Sequence, residues 1–452
     1  MSTRTIGPTL RGTLTVAVCL LLALAAAAHA ATPGELVAGK RAQGASFAGV
    51  SPFGVAKAAG GDLSKVLRSG VTLTLDARVL ADVRRERPET MSLALPGFGD
   101  SPVVILDLVR VELFAPGFTV TKGDGIIVPW PALGEHYRGV VRGDEESMAA
   151  ISFLDKEVAG FATSPRVGYL VLGRLEGNNP TNKHILYPAS SLIPKQNFTC
   201  AMGDDGAASA DEVISYWDAT RLAKSSSVEA AKVAGANVKI YVEADYDLFQ
   251  NKGSVAAVTS YLTGVFNQTA TLYSAEQIPI VMSQLVVWTS RSPYKGNSSS
   301  QLLASFQKSR NSFNGDLGHL VALRGGGGIA AGFNGFCAPN RDDSQCFSML
   351  DTTYNNVPTY SWTVMVFTHE MGHLMGSRHT HACVWNGNNT QIDGCSSPEG
   401  TCPLVGYPAG GGTIMSYCHL SGRPGINFTN GFGTQPGNVI RSRFAAASCL
   451  TP

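Results

Sequence analysis

The chain has 452 residues, with 50 glycines, 23 prolines and only 15% charged side chains. Roughly 25% is usual for a soluble domain. The formal net charge of +1 excludes the basic face that electrostatic binding to nucleic acid needs, and equally a polybasic membrane anchor. A hydrophobic fraction of 44% excludes a disordered chain, and the length suggests two or three domains. Charge is also unevenly spread. Residues 31–235 carry 44 charged side chains, residues 236–452 only 23, so the density halves near Gly235.

Arg4 and Arg11 precede an apolar run, Leu14–Ala28, and Ala28-His29-Ala30 is a small-residue cleavage pattern. This predicts a secretory signal peptide over 1–30 and a secreted, extracellular chain with no membrane anchor after its removal. Eight cysteines then remain: Cys200, Cys337, Cys346, Cys383, Cys395, Cys402, Cys418 and Cys449. An oxidising compartment makes disulfides the expectation. Seven of the eight lie beyond Gly235, so either Cys200 pairs across that boundary or one of the seven stays free.

Residues 31–70 are Ala/Gly-rich and read as a lead-in with one short helix at most. From Val71 to about Tyr187, short β-forming runs alternate with turn residues such as Gly123-Asp124-Gly125. The pattern predicts an antiparallel β-rich domain, ending near 200. His136 and His184 stand alone there and read as surface or structural residues rather than ligands. Residues 201–235 have the small and polar composition of a linker and of a proteolytic activation region.

Beyond Gly235 the pattern becomes α/β. Strands are predicted at Val238–Glu243, Ile278–Thr289 and His319–Leu323, with helices at Ser254–Leu272, Leu302–Phe313, Trp362–Met375 and Gly437–Ala447. Gly325–Gly328 reads as a turn before a short strand at Ile329–Phe333.

Residues 369–379 read His-Glu-Met-Gly-His-Leu-Met-Gly-Ser-Arg-His. On a helix, positions i and i+4 share one face, so His369 and His373 can present two imidazoles to one ion. Gly376 can take a left-handed conformation at the helix end, turn the chain and return His379 to the same ion. Three nitrogen ligands suit zinc and leave a fourth position for water, the mark of a catalytic site. Glu370, next to the first ligand, is placed to act as general base and then acid. His381 is a weaker third-ligand candidate, because the glycine spacing favours His379.

These residues are the metzincin zinc-peptidase signature, and Gly411–Cys418 with Met415 resembles the Met-turn of that family. His-Glu-Met-Gly-His resembles the adamalysin/reprolysin group, and His136–Gly143 with Ala149–Ser152 resembles its propeptide core. Two positions depart from that group. Thr380 stands where it carries Asp, and Tyr417 gives an astacin/serralysin-like Met-x-Tyr turn. The resemblance implies Met415 as an apolar floor beneath the metal. It also implies Tyr417 as a zinc ligand or a support for the reaction intermediate, with a packed tyrosine as the alternative. It implies Cys200 as an inhibitory zinc ligand in a zymogen, with a disulfide as the alternative. Glu243 and Asp316 are candidates for a calcium site, as in some relatives.

The expected protein is thus a metzincin-like α/β (α+β) catalytic domain over 236–452, with a mixed sheet and an active-site helix, preceded by a β-rich pro-domain over 31–200. The expected activity is that of a secreted, monomeric zinc endopeptidase made as a zymogen and acting on protein or peptide substrates. Two alternatives are a secreted adhesion module on a peptidase-like fold and a zinc hydrolase of another amide bond.

Overall fold

The computed structural model describes residues 1, 31–56, 63–97, 103–129, 131–175, 183–197, 199–202, 236–354, 357–358, 360–420 and 422–450. The expected signal segment and almost all of the expected activation region lie outside the described residues.

The first half is built from α1 (Pro33–Ala42), β1 (Ala48–Val50), β2 (Phe53–Val55), β3 (Val71–Leu75), α2 (Ala77–Glu86), β4 (Thr90–Pro96), β5 (Val103–Arg110), β6 (Phe114–Lys122), β7 (Glu135–Val141), β8 (Asp144–Phe153), β9 (Val158–Ser164), β10 (Gly168–Arg174), β11 (Lys183–Pro188) and β12 (Thr199–Cys200). The second half comprises β13 (Val238–Ala244), α3 (Tyr246–Lys252), α4 (Val255–Ala275), β14 (Ile280–Val287), α5 (Ser299–Ser309), β15 (Leu317–Ala322), β16 (Gly327–Ala330), β17 (Gln345–Met349), β18 (Thr353–Tyr354), β19 (Val357–Pro358), α6 (Tyr360–Leu374) and α7 (Thr434–Ala446).

Ten strands of the first half form one sheet in the order β1-β4-β5-β7-β8-β9-β10-β11-β3-β2. Its pairs are antiparallel except β1 with β4. The lead-in is more ordered than its composition suggests. The Thr32 hydroxyl and the Glu35 carboxylate form a reciprocal capping box that starts α1. The helix α2 went unread, although Asp76 caps it and its buried Leu80 and Val83 recur at i, i+3.

The second sheet runs β12-β16-β17-β15-β13-β14-β6. Its pairs are parallel except β16 with β17. Both end strands come from the first half: β6 lies beside β14, and β12 beside β16. The two sheets enclose α4. Ser254 caps this helix, accepting from the Ala257 amide at 3.1 Å, and most of its residues are buried on every face. Such a helix belongs in an interior. It packs on β8 of one sheet, β14 of the other, and α6. One hydrophobic core therefore spans both halves, from Leu113, Val120, Phe161 and Tyr187 to Val238, Phe266, Phe367 and Phe428.

The expected glycine turn before Ile329 is confined to Gly325 and Gly326, since Gly327 and Gly328 belong to β16. A Cβ at Gly328 would sit 2.0 Å from the Glu370 carboxylate, and one at Gly325 would sit 2.6 Å from the Phe347 ring. Gly325, Gly326 and Gly327 also take φ of 137°, 96° and 139°, a conformation that favours glycine, so the run serves both the backbone path and the close approach of side chains.

Candidate metal centre

The helix α6 follows Pro358 and carries His369, Glu370 and His373 on buried positions. It ends in two bonds, Gly376 N–H to His373 O at 2.8 Å and Ser377 N–H to Gly372 O at 3.0 Å. These are the paired bonds of a Schellman cap, and Gly376 supplies its positive φ, 106°. The chain reverses there and brings His379 back over the helix.

The Nε2 atom of His373 lies 3.1 Å from that of His369 and 3.1 Å from that of His379. Each opposite ring nitrogen has an acceptor. His369 Nδ1 donates to Ile414 O at 2.7 Å, His373 Nδ1 to Ser377 O at 2.7 Å, and His379 Nδ1 to Glu399 Oε1 at 2.6 Å. A proton on Nδ1 leaves Nε2 as a lone pair in the neutral ring. Three buried lone pairs therefore point at one another. Burial, reinforced by the neighbouring imidazoles, holds all three rings below the ordinary histidine range, His379 at about 3. Neutral, mutually facing imidazoles are repulsive alone and suit a shared cation. The donor set fits zinc.

Cys200 Sγ joins the three imidazoles, all four ligand atoms lying within 4.8 Å of one another. The Cys200 thiol also donates to Glu370 Oε2 at 3.2 Å. The second oxygen, Oε1, is buried and has no hydrogen-bond partner among the described residues. Burial raises the pKa of Glu370 well above the usual carboxylate range, and raises that of Cys200 through burial and the adjacent carboxylate. β12 pairs with β16 through Thr199–Gly327 and Cys200–Gly328, and Ala201 N–H adds a bond to Gly328 O at 2.8 Å.

Met415 is fully buried beneath α6, and a Cβ on Gly372 would come 2.8 Å from its sulfur. The Met415 carbonyl accepts from Thr380 N–H at 3.0 Å and from the Thr380 hydroxyl at 3.3 Å. Tyr417 is buried, and its hydroxyl donates to Cys200 O at 2.8 Å. His381 does not join the three imidazoles. Its ring stacks on His379, and its Nε2 donates to Glu399 at 3.1 Å.

Three disulfides tie Cys337 to Cys449, Cys383 to Cys402 and Cys395 to Cys418. Among the described residues Cys200 and Cys346 are unpaired. Of the two cysteine readings, the structure therefore takes the one with a free cysteine in the second half. Cys346 is fully buried in β17, where burial raises its pKa and keeps it an inert thiol.

Glu243 and Asp316 are not brought together as a cation site. Glu243 accepts from both Tyr241 and Tyr294 hydroxyls, from Arg310, and from Trp288 Nε1 at 2.8 Å. Asp316 accepts from Lys239 N–H at 2.7 Å. Neither belongs to a cluster of metal-ligating groups among the described residues. His136 and His184 are buried structural residues, as read. Sequence reasoning missed Glu399. It lies 20 residues beyond His379 in a loop without periodicity, and only the flanking Cys383 and Cys402 hint that the loop is held near the site.

A comparison with family profiles matches residues 234–427 to Reprolysin_5, described as Metallo-peptidase family M12. The protein is a zinc metalloprotease, a hydrolase that acts on proteins or peptides. The matched segment is of metzincin type, in metallo-peptidase family M12. Among solved structures, metalloproteinase-II from Bacteroides fragilis is similar at 13% identity over 72% of this chain and 91% of that one, with a TM-score of 0.38. A chaperone–substrate complex is similar at 11% identity over 46% of this chain and 35% of that one, with a TM-score of 0.26. No curated protein matches the chain.

Proposed function

We propose that the chain is a secreted zinc endopeptidase held as a zymogen, with His369, His373 and His379 as zinc ligands and Glu370 as the proton-transfer residue. The observation that carries this reading is the convergence of three Nε2 lone pairs beside the Glu370 carboxylate. Zinc bound there supplies a Lewis acid that brings the pKa of water toward about 7.

The other steps belong to the chain. Glu370, with Oε1 free of hydrogen-bond partners among the described residues, takes a proton from the attacking water and delivers it to the departing amine nitrogen. Water oxygen bonds to the carbonyl carbon, and the C–N bond breaks. The β16 edge receives the substrate backbone by strand addition. In the zymogen the segment around Cys200 holds that edge, its thiol stands among the imidazoles, and its carbonyl takes the Tyr417 hydroxyl. The Cys200 carbonyl thus stands where a substrate carbonyl goes. Once the segment leaves, Tyr417 is free to donate to the carbonyl oxygen as negative charge develops.

No helix among the described residues is long and apolar enough to cross a membrane, and three disulfides suit an oxidising compartment, which supports secretion. The 31–200 region is then the pro-domain, 201–235 the activation region and 236–452 the catalytic domain.

The test is mass spectrometry and metal analysis of the secreted protein, with its N-terminus, together with casein hydrolysis by the activated form. One zinc per chain, a start after Ala30 for the zymogen and one between 201 and 237 for the active form are expected. Glu370→Ala keeps zinc and lowers kcat roughly 100- to 10,000-fold. Unchanged hydrolysis by Glu370→Ala would refute the assignment.

A further inference from the structure

His379 is the one imidazole of the three that no helix holds. His369 and His373 project from α6, and backbone carbonyls fix their rings. The His379 ring is fixed by a carboxylate instead, Glu399 Oε1 at 2.6 Å from Nδ1. The same oxygen accepts from His381 Nε2 at 3.1 Å, and the His381 ring stacks on His379 with centroids 4.8 Å apart and planes 9° from parallel.

Glu399 is itself delivered by a fastened loop. Cys383 N–H donates to Glu399 O at 2.8 Å, and Glu399 N–H donates to His381 O at 3.0 Å. Residues 382 and 399 form a parallel bridge, and the Cys383–Cys402 disulfide closes the loop three residues further on. The chain just after His379 is thereby zipped to the chain around Glu399.

We propose that Glu399 is the positioning residue for the third metal ligand, and that the 383–402 disulfide loop exists in part to deliver it. The carboxylate holds the proton on Nδ1, so that Nε2 faces the other two imidazoles as a lone pair. It also adds a negative charge behind an otherwise neutral set of three nitrogens. Outer carboxylates of this kind raise the basicity of a ligating histidine, and their loss lowers metal affinity roughly 10- to 100-fold. The proposal rests on the reading of His379 as a zinc ligand. Thr380, the residue next to His379, serves another end, since it bonds the Met415 carbonyl.

The experiment uses the full chain, and zinc alone as the probe. Zinc affinity is read by competition with a chromogenic chelator, ligand geometry by the visible spectrum of the cobalt-substituted protein, and folding by the Tm of the metal-free form. The variants are Glu399→Gln, the double variant Cys383→Ser/Cys402→Ser, their combination, and His379→Ala. Glu399→Gln is expected to bind zinc 10- to 100-fold more weakly, to shift the cobalt spectrum, and to leave the metal-free Tm unchanged. Removing the disulfide is expected to weaken zinc binding as well, but to add little once Glu399 is Gln, because both changes break one linkage. Zinc affinity within threefold of wild type in Glu399→Gln overturns the proposal. So do a metal-free Tm that falls with the affinity, and fully additive losses in the combined variant. If His379→Ala binds zinc as tightly as wild type, the ligand assignment itself fails, and the Glu399 role with it.

Discussion

A cut in the 203–235 segment is expected to leave the two halves of the protein together. The end strand β6 pairs with β14 in register from Gln284–Thr119 to Val287–Lys122. Met282 N–H to Leu113 O and Gly123 N–H to Val287 O, both 3.0 Å, extend that ladder. Asn267 of α4 donates to Tyr137 O and Ile151 O at 3.3 Å each and to Ser152 Oγ at 3.2 Å, and Tyr187 donates to Pro358 O at 2.7 Å. Fifteen buried apolar side chains from the first half, from Val66 to Leu192, sit in the core shared with the second half. At about 2 kcal/mol for each, about 30 kcal/mol of burial involves that core. If half is lost on separation, about 15 kcal/mol opposes it, and each hydrogen bond across the halves adds about 1 kcal/mol. Regained translational and rotational freedom returns roughly 4–15 kcal/mol. With about ten such hydrogen bonds the balance is about 10–21 kcal/mol against separation, a dissociation constant of tens of nanomolar or below. The assay is limited proteolysis followed by size-exclusion chromatography at micromolar protein. Both fragments are expected to co-elute at the size of the uncut chain, with casein hydrolysis still suppressed. They are expected to part only after denaturant or a second cut within 31–200. Separation of the fragments at micromolar concentration straight after the first cut would refute the reasoning. The activation expected here therefore takes two steps, a nick and then destruction of the first half.

Two further outcomes follow from single positions. Gly376→Ala is expected to destabilise the fold by about 1–3 kcal/mol, because its φ of 106° strains any residue with a Cβ and that Cβ would lie 2.8 Å from Arg443. Urea unfolding measures this, and a change below about 0.5 kcal/mol would contradict the Schellman account of how His379 is returned to the helix. His136 is buried neutral, accepting from Ser152 and donating to Leu133 O, and burial lowers its pKa to about 4 against 6.5 unfolded. Its contribution is full above pH 6.5 and is lost as pH falls from 6.5 to 4, because the unfolded chain takes up the proton first. At about 1.4 kcal/mol per unit, about 3 kcal/mol disappears across that window. Urea titrations at pH 7.5 and 4.5 should show a loss smaller by about 3 kcal/mol in His136→Gln than in wild type, the other buried histidines losing stability in both, and equal losses would remove His136 as a contributor.

What could be read before the fold was known follows from what is local. The 369–379 segment was legible because an α-helix fixes the face of i and i+4, and because only a glycine easily makes the turn at 376. Most element types in the second half were legible for the same reason, with ends shifted by a few residues (the last long helix is Thr434–Ala446 rather than 437–447), but α3 and β17 were not expected. The partnership of β6 was not legible. Its residues are ordinary β-formers, and nothing in their pattern says which of two sheets they complete. The glycine run at 325–328 was half legible: Gly325 and Gly326 turn the chain, whereas Gly328 is kept for lack of a side chain against Glu370. Asn267 lies in a glycosylation sequon, yet its amide is fully buried and bonded to β7 and β8, which a sequence motif cannot reveal. Glu399 was invisible because it reaches His379 through a disulfide loop, and sequence alone did not choose among the cysteine pairings.

The scarcity of charge beyond residue 235 has a physical explanation in where those charges sit. Of eleven acidic residues there, four are buried, namely Glu243, Asp245, Glu370 and Asp393. Glu243 is clasped by Arg310, Asp245 by Arg324, and the mostly buried Glu276 by Arg441. A buried carboxylate is costly unless paired, and removing one partner from such a pair leaves a charge that water cannot reach. These ions therefore work inside the fold rather than as a solubilising surface. Three disulfides limit how far the loops around them can open. Among the described residues Asp393 and Glu370 are buried carboxylates with no cationic side chain bonded to them, and Asp393 accepts from the Cys395 amide at 3.0 Å. The bonded partner of Glu370 is the Cys200 thiol, a group from the first half of the chain. Burial disfavours the charged form of Glu370, and the Cys200 thiol beside it partly offsets that penalty.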